Sequence, residues 1–138
     1  MRKKLPFFVY GTLLHGCSNY DHFLKGWTVE EKQASASGTL YAVENNAFPC
    51  LCQEGSTPIY GEIMYVTDES YDNILQRLDW LEDYDESNEA ESEYVRRITT
   101  VQDNNGQNVE VYIYYWNRSD GLGERIKSGC WRTFLNDF

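Results

Sequence analysis

A glycine turn near the N-terminus is the first place where this sequence could bind a charged group. The apolar residues 5–9 indicate a buried strand, and Tyr10-Gly11-Thr12-Leu13 follows it at once. Because Gly11 has no side chain, successive backbone N–H groups of such a turn can point into one concavity. The sequence therefore predicts an anion site formed by the amides of Gly11, Thr12 and Leu13.

Glu82 is the candidate reactive side chain. Segment 69–82 has apolar residues at three- and four-residue spacing, which predicts a helix with Glu82 at the end of its buried face. Burial and the negative end of the helix dipole both disfavour a charged carboxylate, so we expect its pKa to rise from about 4.3 toward about 6–7. Such a carboxyl can accept and return a proton near neutral pH. The alternative is a glutamate at a frayed helix end that turns into solvent.

An acidic segment follows, with seven acidic and no basic residues between positions 82 and 93. A calcium loop starting at Asp83 would need Gly at its sixth position and Glu at its twelfth, where this chain has Asn88 and Tyr94. We therefore interpret the segment as a solvated acidic loop. Tyr94 and Arg96 share one face of the strand predicted next, so both could line the site that Glu82 approaches. Equally, Tyr94 could be half-buried beside a surface arginine.

The elements that position these residues are mostly strands. Predicted strands cover residues 5–10, 38–43, 49–53, 59–66, 94–101 and 108–116, and helices cover 18–24 and 69–82. Asn105-Gly106 indicates a hairpin between the last two strands, Thr67 and Asp68 offer a helix cap, and residues 126–138 form a short docking segment. The helices are few and do not alternate with the strands, which indicates an α+β fold built on an antiparallel sheet or a small barrel. We expect residues 1–138 to form one domain.

The acidic composition restricts the partners. The formal net charge is −10 and the isoelectric point is about 4.5, whereas nucleic acids and anionic membranes bind basic surfaces. We therefore expect neither as a partner, and the mean hydropathy of −0.61 indicates a soluble globular protein. The basic N-terminus, the apolar run and Cys17 imitate a lipoprotein signal, but Pro6, Tyr10 and Gly11 interrupt the run. We expect a cytoplasmic protein.

Other catalytic chemistries find little support in the sequence. The four cysteines lack C-x-x-C spacing, so we expect reduced thiols and no metal site. There is no G-x-S-x-G elbow and no phosphate loop, and two histidines offer little for a triad. Acidic residues are plentiful, but no pair stands out as the two carboxylates of a glycosidase.

The ordered motifs resemble those of the gamma-glutamylcyclotransferase-like family, most of all its gamma-glutamylamine cyclotransferase branch. The matching segments are Phe8-Val9-Tyr10-Gly11-Thr12-Leu13-Leu14-His15-Gly16, Gly38-Thr39-Leu40-Tyr41, Phe48-Pro49, Gly61-Glu62-Ile63-Met64-Tyr65, Leu78-Asp79-Trp80-Leu81-Glu82, Tyr94-Val95-Arg96 and Val111-Tyr112-Ile113-Tyr114. Two features depart from the family pattern. Asp83 stands where the family usually has Gly, and the acidic loop before Tyr94 is longer than usual.

The resemblance implies a small mixed, largely antiparallel β-barrel flanked by short helices, with Glu82 as the catalytic acid/base. The residues that it implies for substrate binding are Tyr10, Gly11, Thr12, Leu13 and Tyr94. The amides of residues 11–13 would bind either a substrate carboxylate or a developing oxyanion, and the sequence leaves this choice open.

The resemblance also implies a reaction. The α-amino group of a gamma-glutamyl amide attacks its own γ-carbonyl and releases 5-oxoproline and a free amine or amino acid. Because the substrate carries its own nucleophile, no serine or cysteine triad and no cofactor is required, and folding the substrate makes effective molarities of about 10⁵ M or more accessible. We expect a monomer acting on a small-molecule gamma-glutamyl substrate, whose leaving amine stays open. The alternative is a non-catalytic module that binds a small carboxylate in the same pocket.

Overall fold

A closed barrel dominates the computed structural model, which describes residues 4–136. Its strands are β1 (Phe7–Val9), β2 (Thr28–Val43), β3 (Phe48–Val66), β4 (Tyr94–Asp103) and β5 (Asn108–Trp116). The helices are α1 (Tyr20–Phe23), α2 (Tyr71–Leu81) and α3 (Trp131–Asn136), and a 3₁₀ turn spans Glu89–Glu91. The predicted α+β class and barrel are confirmed. Within residues 4–136, no helix is long and apolar enough to cross a membrane.

The strand order around the barrel is β1-β3-β2-β4-β5, and all neighbours are antiparallel except β1 and β5. The parallel pairing of β1 with β5 closes the barrel at Phe7 and Tyr112. The sheet is therefore mixed and largely antiparallel, as the family resemblance implies. The β4–β5 ladder pairs Tyr94 with Trp116, so the start of β4 and the end of β5 meet at one end of the barrel.

Two strand predictions were wrong in extent. Residues 28–37 were not predicted as a strand, yet they form the first half of β2. This half buries only the small side chains of Ala34 and Ala36, so it lacks the apolar alternation that marks a strand, and its pairing with β3 defines it instead. Segments 49–53 and 59–66, predicted as separate strands, are one continuous β3. The pairing of β2 with β3 has a register shift between Gly38 and Thr39, which accommodates the β3 residues that lie between the two predicted segments.

The helices lie close to their predicted positions with shorter bounds. Helix α2 begins at Tyr71, after a turn in which Ser70 N–H donates to the carbonyl and hydroxyl oxygens of Thr67. Helix α1 keeps only the centre of the predicted segment 18–24. The docking segment contains α3, whose Trp131 and Phe134 are buried, while positions 137–138 lie outside the described residues.

The apolar face of α2 packs onto the barrel through Tyr71, Ile74, Leu75 and Leu78, all of which are buried. This burial is the predicted amphipathic pattern. It fixes the helix so that its last turn ends at Glu82. The same packing brings the end of α2 to the barrel end where β1 exits and β4 begins.

Candidate active site

A cavity of about 300 Å³ opens at this end of the barrel. Its walls come from the exit of β1, the start of β3, the end of α2, the start of β4 and the end of β5. The residues that line it are Phe8, Val9, Tyr10, Gly11, Thr12, Leu13, Ser18, Asn19, Ala47, Phe48, Pro49, Leu81, Glu82, Glu93, Tyr94 and Tyr114.

The catalytic and substrate-binding residues that the family resemblance implies all line this one cavity. They are Glu82, Tyr10, Gly11, Thr12, Leu13 and Tyr94. They come from distant parts of the chain, since residues 10–13 leave β1 while Glu82 and Tyr94 flank the acidic loop. The structure thus brings them together, and their roles in binding and catalysis are taken up under the proposed function.

The turn after β1 carries unpaired backbone donors on residues that line the cavity. Within residues 4–136, the amides of Gly11, Thr12 and Leu13 donate to no protein acceptor. A side chain at position 11 would be excluded, because a Cβ there would lie 2.5 Å from Pro49 Cγ and 2.8 Å from Pro49 Cδ. Glycine is therefore required for close approach to the start of β3. Unpaired N–H groups in a concavity can bind an anion.

The rest of the turn is anchored by hydrogen bonds on both sides. Asn19 donates to Thr12 twice, from its side chain to the hydroxyl at 2.9 Å and from its backbone to the carbonyl at 2.8 Å. The buried Glu62 accepts the His15 amide at 2.8 Å, and Arg132 of α3 donates to His15 O at 2.5 Å and to Glu62 Oε2 at 3.2 Å. The predicted anion site therefore lies on a turn fixed to both the barrel and α3.

Helix α2 ends in a Schellman motif that places Glu82. The amide of Tyr84 donates to Asp79 O at 2.8 Å and that of Asp83 to Trp80 O at 3.2 Å. Asp83 has φ of 54°, the left-handed conformation that such an end requires. This conformation favours Gly, and aspartate is among the side chains that best tolerate it. The departure from the family pattern at Asp83 thus preserves the backbone geometry at Glu82.

The Glu82 carboxyl is held in a site that disfavours its charge. Burial, followed by the nearby charge of Glu93, raises the pKa of Glu82 to about 8 from an ordinary value of 4.5. No residue among 4–136 donates a hydrogen bond to this carboxyl. Glu82 is only partly exposed and lines the cavity, unlike a glutamate at a frayed end in solvent. A carboxyl with this pKa is protonated in most of the protein molecules at pH 7 and can exchange its proton.

Three buried tyrosines of the cavity donate their hydroxyl protons to other protein groups. Tyr10 donates to Tyr114 O at 2.6 Å, Tyr94 to Pro49 O at 3.1 Å, and Tyr114 to Asp79 Oδ1 at 2.6 Å. Burial is the largest cause that raises the pKa of all three, and the charge of Glu82 contributes to each. Their hydroxyls therefore lie near Glu82 without stabilising its ionised form.

Arg96 does not line the cavity, so its predicted place beside Glu82 was wrong. It is buried and not at the surface, and its guanidinium lies over the rings of Tyr84 and Tyr112, at 5.1 and 5.2 Å from their centroids. It forms an ion pair with Asp79. Burial alone would lower the pKa of Arg96, but the hydrogen bond and charge of Asp79 outweigh it and raise that pKa. The guanidinium thus has an internal partner.

Sequence reasoning missed four polar residues of the cavity, namely Ser18, Asn19, Glu93 and Tyr114. Glu93 was counted only as part of the acidic loop, yet it lines the cavity beside Glu82. Burial is the largest cause that raises the pKa of Glu93; the charge of Arg118 lowers that pKa, and the charges of Asp83 and Glu44 raise it. Tyr114 lies in the last family motif, and its two-residue spacing from the buried Tyr112 was the available signal. An acidic loop alone does not reveal which of its members turns inward.

The arrangement can bind an anion at the turn of residues 11–13 and exchange a proton at Glu82 across the same cavity. Among residues 4–136, no cluster of three or more His, Cys, Asp or Glu side chains could hold a metal ion.

Comparisons with known proteins identify the family of this chain. The family model described as gamma-glutamyl cyclotransferase, AIG2-like, matches residues 7–133. The gamma-L-glutamyl-butirosin B gamma-glutamyl cyclotransferase of Niallia circulans is 30% identical over 127 residues, which cover 92% of this chain and 75% of the relative. A Vibrio cholerae protein provisionally named a gamma-glutamylcyclotransferase is 32% identical over 124 residues, which cover 90% of this chain and 92% of the Vibrio cholerae chain.

A solved structure extends the comparison to the fold. The mouse AIG2-like protein superposes with a TM-score of 0.66 at 23% identity, covering 87% of this chain and 84% of the mouse chain. At that identity the likeness concerns the fold alone. The family match spans the strands and the helix that form the cavity, so the chain belongs to the AIG2-like gamma-glutamyl cyclotransferase family.

Proposed function

We propose that this protein is a gamma-glutamyl cyclotransferase that converts a gamma-glutamyl amide into 5-oxoproline and a free amine or amino acid. One observation carries the proposal: the Glu82 carboxyl, with its pKa raised to about 8, lines the same cavity as the unpaired amides of residues 11–13. The family membership supports the same reaction class.

Glu82 acts first as the base. Its carboxylate accepts a proton from the substrate α-ammonium group, which frees the nitrogen lone pair to attack the γ-carbonyl carbon. The new C–N bond closes a five-membered ring, and the carbonyl oxygen becomes an oxyanion. A base with a pKa near 8 is well matched to an ammonium group, because proton transfer between groups of similar pKa has little thermodynamic cost.

Glu82 then acts as the acid. It returns the proton to the departing nitrogen, the bond between that nitrogen and the γ-carbon breaks, and the carbonyl re-forms within 5-oxoproline. The ring nitrogen still carries two protons after its attack and gives one of them to the released amine, which leaves as an ammonium group. The unpaired amides of residues 11–13 bind a substrate carboxylate or this oxyanion, and Tyr10 and Tyr94 form the walls that keep the glutamyl chain folded. The nucleophile belongs to the substrate, so the proposed step uses no cofactor.

The state of the cysteines bears on the cellular compartment in which we place the reaction. All four cysteines lie within residues 4–136 and are free. Burial raises the pKa of Cys50 to about 12, so that thiol is unreactive. Free thiols are typical of reducing compartments, and we place the reaction in the cytoplasm.

The first test is turnover of a panel of gamma-glutamyl amines and gamma-glutamyl dipeptides, with 5-oxoproline as the measured product. We expect Glu82→Gln to fold and to lose kcat by at least about 10²-fold, the size of an acid/base contribution. Glu91→Gln is the matched control, since it removes one exposed carboxylate of the acidic loop outside the cavity. Full activity of Glu82→Gln would remove Glu82 from the mechanism.

The competing function is a module that binds a small carboxylate without turnover. The unpaired amides of residues 11–13 favour it, since they would bind a carboxylate whether or not a reaction follows. Binding of a gamma-glutamyl amide that yields no product from any member of the panel would identify such a module.

A further inference from the structure

A buried carboxylate lies beside the turn that carries the unpaired amides. Glu62 of β3 is 4% exposed and does not line the cavity. It is paired in the β1–β3 ladder with Val9, the last residue of β1, so it lies where the turn begins. Burial of a carboxylate is unfavourable unless hydrogen bonds and an opposite charge compensate it. The partners of Glu62 therefore show what this side chain holds in place.

Both carboxylate oxygens of Glu62 have protein donors. Oε1 accepts the backbone N–H of His15 at 2.8 Å. Oε2 accepts the side-chain amide of Gln33 at 3.0 Å and Nη2 of Arg132 at 3.2 Å. The same Nη2 of Arg132 donates to His15 O at 2.5 Å. The ion pair of Glu62 and Arg132 thus holds the backbone of His15 at its amide and at its carbonyl.

Glu62 holds both ends of the turn. The turn begins after Val9, which pairs with Glu62 in the ladder, and it leads into His15, whose amide Glu62 binds. Between these two points, the N–H of Leu14 donates to Gly11 O at 3.0 Å and closes residues 11–14 into a turn. Residues 10–14 therefore span two contacts with one residue of β3.

The contacts that hold the turn leave its anion-binding donors free. Asn19 binds the hydroxyl and carbonyl oxygens of Thr12, and Glu62 binds the amide of His15, which is two residues beyond the last unpaired amide. A hydrogen bond weakens steeply when its donor points away from the acceptor. The amides of residues 11–13 can therefore bind one anion together only while the turn keeps its conformation.

We propose that Glu62, paired with Arg132, is a positioning residue that holds residues 10–14 in the conformation in which the amides of Gly11, Thr12 and Leu13 can bind an anion. The inference rests on the proposed function for its catalytic meaning. Glu62 acts through the turn and does not contact the substrate.

Two variants separate the hydrogen bond of Glu62 from its charge. Glu62→Met keeps a long side chain for the buried position and removes every acceptor, so the amide of His15 loses its partner. Glu62→Gln also removes the charge, but its amide oxygen still accepts from His15, and its NH₂ group can donate to Gln33 once that side-chain amide turns over. The proposal predicts that Glu62→Met loses the turn conformation and that Glu62→Gln recovers most of it.

Amide hydrogen exchange, followed by NMR, measures the turn without any substrate. The N–H of Leu14 donates to Gly11 O and the N–H of Asn19 donates to Thr12 O, so both report on the turn although neither binds Glu62. We expect these two amides to exchange at least about tenfold faster in Glu62→Met than in the wild type, and within about threefold of the wild type in Glu62→Gln.

Two controls make the exchange measurement specific to the turn. The hydrogen bonds of the Glu62 side chain do not involve the β4–β5 hairpin, so amides of that ladder should exchange in Glu62→Met as in the wild type. Glu54→Met, the same substitution at an exposed residue of β3, should leave the amides of Leu14 and Asn19 unchanged.

Three results of the exchange measurement would overturn the proposal. Wild-type exchange of Leu14 and Asn19 in a folded Glu62→Met would show that the turn keeps its conformation without Glu62. An equal acceleration in the turn and in the β4–β5 hairpin would give Glu62 a merely structural role. The same loss in Glu62→Gln as in Glu62→Met would assign the effect to the charge.

Arg132→Gln tests the ion pair even if Glu62→Met does not fold. The Arg132 side chain is 40% exposed, and its replacement removes a donor from both Glu62 and His15 O. We expect faster exchange of Leu14 and Asn19 than in the wild type. The matched control is Arg125→Gln, because this exposed arginine donates to the Thr57 hydroxyl, away from the turn. Equal exchange of Leu14 and Asn19 in the two variants would overturn the role of the pair.

Kinetics test the catalytic meaning of the inference. With an active wild type, kcat/KM should fall at least about tenfold in Glu62→Met and recover most of that loss in Glu62→Gln, because displaced donors bind the substrate or its oxyanion poorly. A loss in KM would identify the bound anion as a substrate carboxylate, and a loss in kcat as the oxyanion. Unchanged kcat/KM in Glu62→Met would refute the catalytic role.

The exchange measurement and the activity measurement can fail separately. A wild type that releases no 5-oxoproline would contradict the proposed function, while the exchange of Leu14 and Asn19 would still decide whether Glu62 holds the turn. In an active enzyme, the acid limb of the kcat/KM pH profile should stay at its wild-type pH in Glu62→Met, since that limb belongs to Glu82 and only the turn is changed.

Discussion

Replacing Glu82 by glutamine should stabilise the fold at neutral pH while it lowers kcat by at least about 10²-fold. The carboxyl titrates near 8 in the folded protein and near its ordinary value of 4.5 in the unfolded chain. Between these values the unfolded chain ionises while the folded protein retains the proton, so rising pH favours unfolding. Glutamine has the shape of the protonated acid and does not ionise.

The size of this effect follows from the two pKa values. Each pH unit between them costs the folded state about 1.4 kcal/mol, which amounts to about 3 kcal/mol at pH 7. The cavity admits solvent and Glu82 is partly exposed, so we expect to measure about 2 kcal/mol of it. At pH 4, where both states are protonated, the difference should vanish.

Urea unfolding of wild type and Glu82→Gln at pH 4, 6 and 8 measures this difference directly. We expect the free energies of unfolding to agree at pH 4 and to separate progressively in favour of Glu82→Gln above pH 5. Glu91→Gln, the same substitution at an exposed residue of the acidic loop, should show no such separation. A Glu82→Gln variant that is no more stable than the wild type at pH 8 would refute the reasoning, because it would mean that the carboxyl is not desolvated.

Three further substitutions test other parts of the site. Gly11→Ala places a Cβ 2.5 Å from Pro49 Cγ, so we expect a stability loss of about 1–3 kcal/mol and a rise in KM. Unchanged kinetics would show that the turn can accommodate a side chain at this position. Asp83→Gly relieves the left-handed conformation and should add about 0.5–1 kcal/mol in urea unfolding with turnover retained, whereas loss of turnover would give the Asp83 side chain a role of its own. Glu93→Gln removes the second cause that raises the Glu82 pKa, so the acid limb of the kcat/KM pH profile should move to lower pH. An acid limb at the same pH as in the Glu91→Gln control would contradict this coupling.

The parts of the fold that follow local rules could be predicted from the sequence. The apolar spacing of α2 predicted both the helix and the partly buried position of Glu82 at its end, because burial of one helix face has a period that the residues display. The hairpin of β4 and β5 could also be predicted, from Asn105-Gly106, because Gly106 adopts the positive φ of 79° that the tight turn requires.

Features that depend on contacts between distant segments could not be predicted. The first half of β2 is specified by its ladder with β3 and shows little apolar alternation. Arg96 was expected at the cavity or the surface, because strand alternation gives the face of a side chain and does not reveal the Asp79 partner behind the wall. Glu93 differs from the other acidic residues of its loop only by its place beside β4, which is a tertiary property.

The most direct measurement follows the atoms of a gamma-glutamyl amide labelled with ¹⁵N at its α-amine, in water enriched in ¹⁸O. Intramolecular attack predicts 5-oxoproline that carries the ¹⁵N in its ring and no ¹⁸O, produced by the wild type and not by Glu82→Gln. Glutamate containing ¹⁸O, or binding of the labelled amide with no product at all, would contradict a cavity built to close the ring.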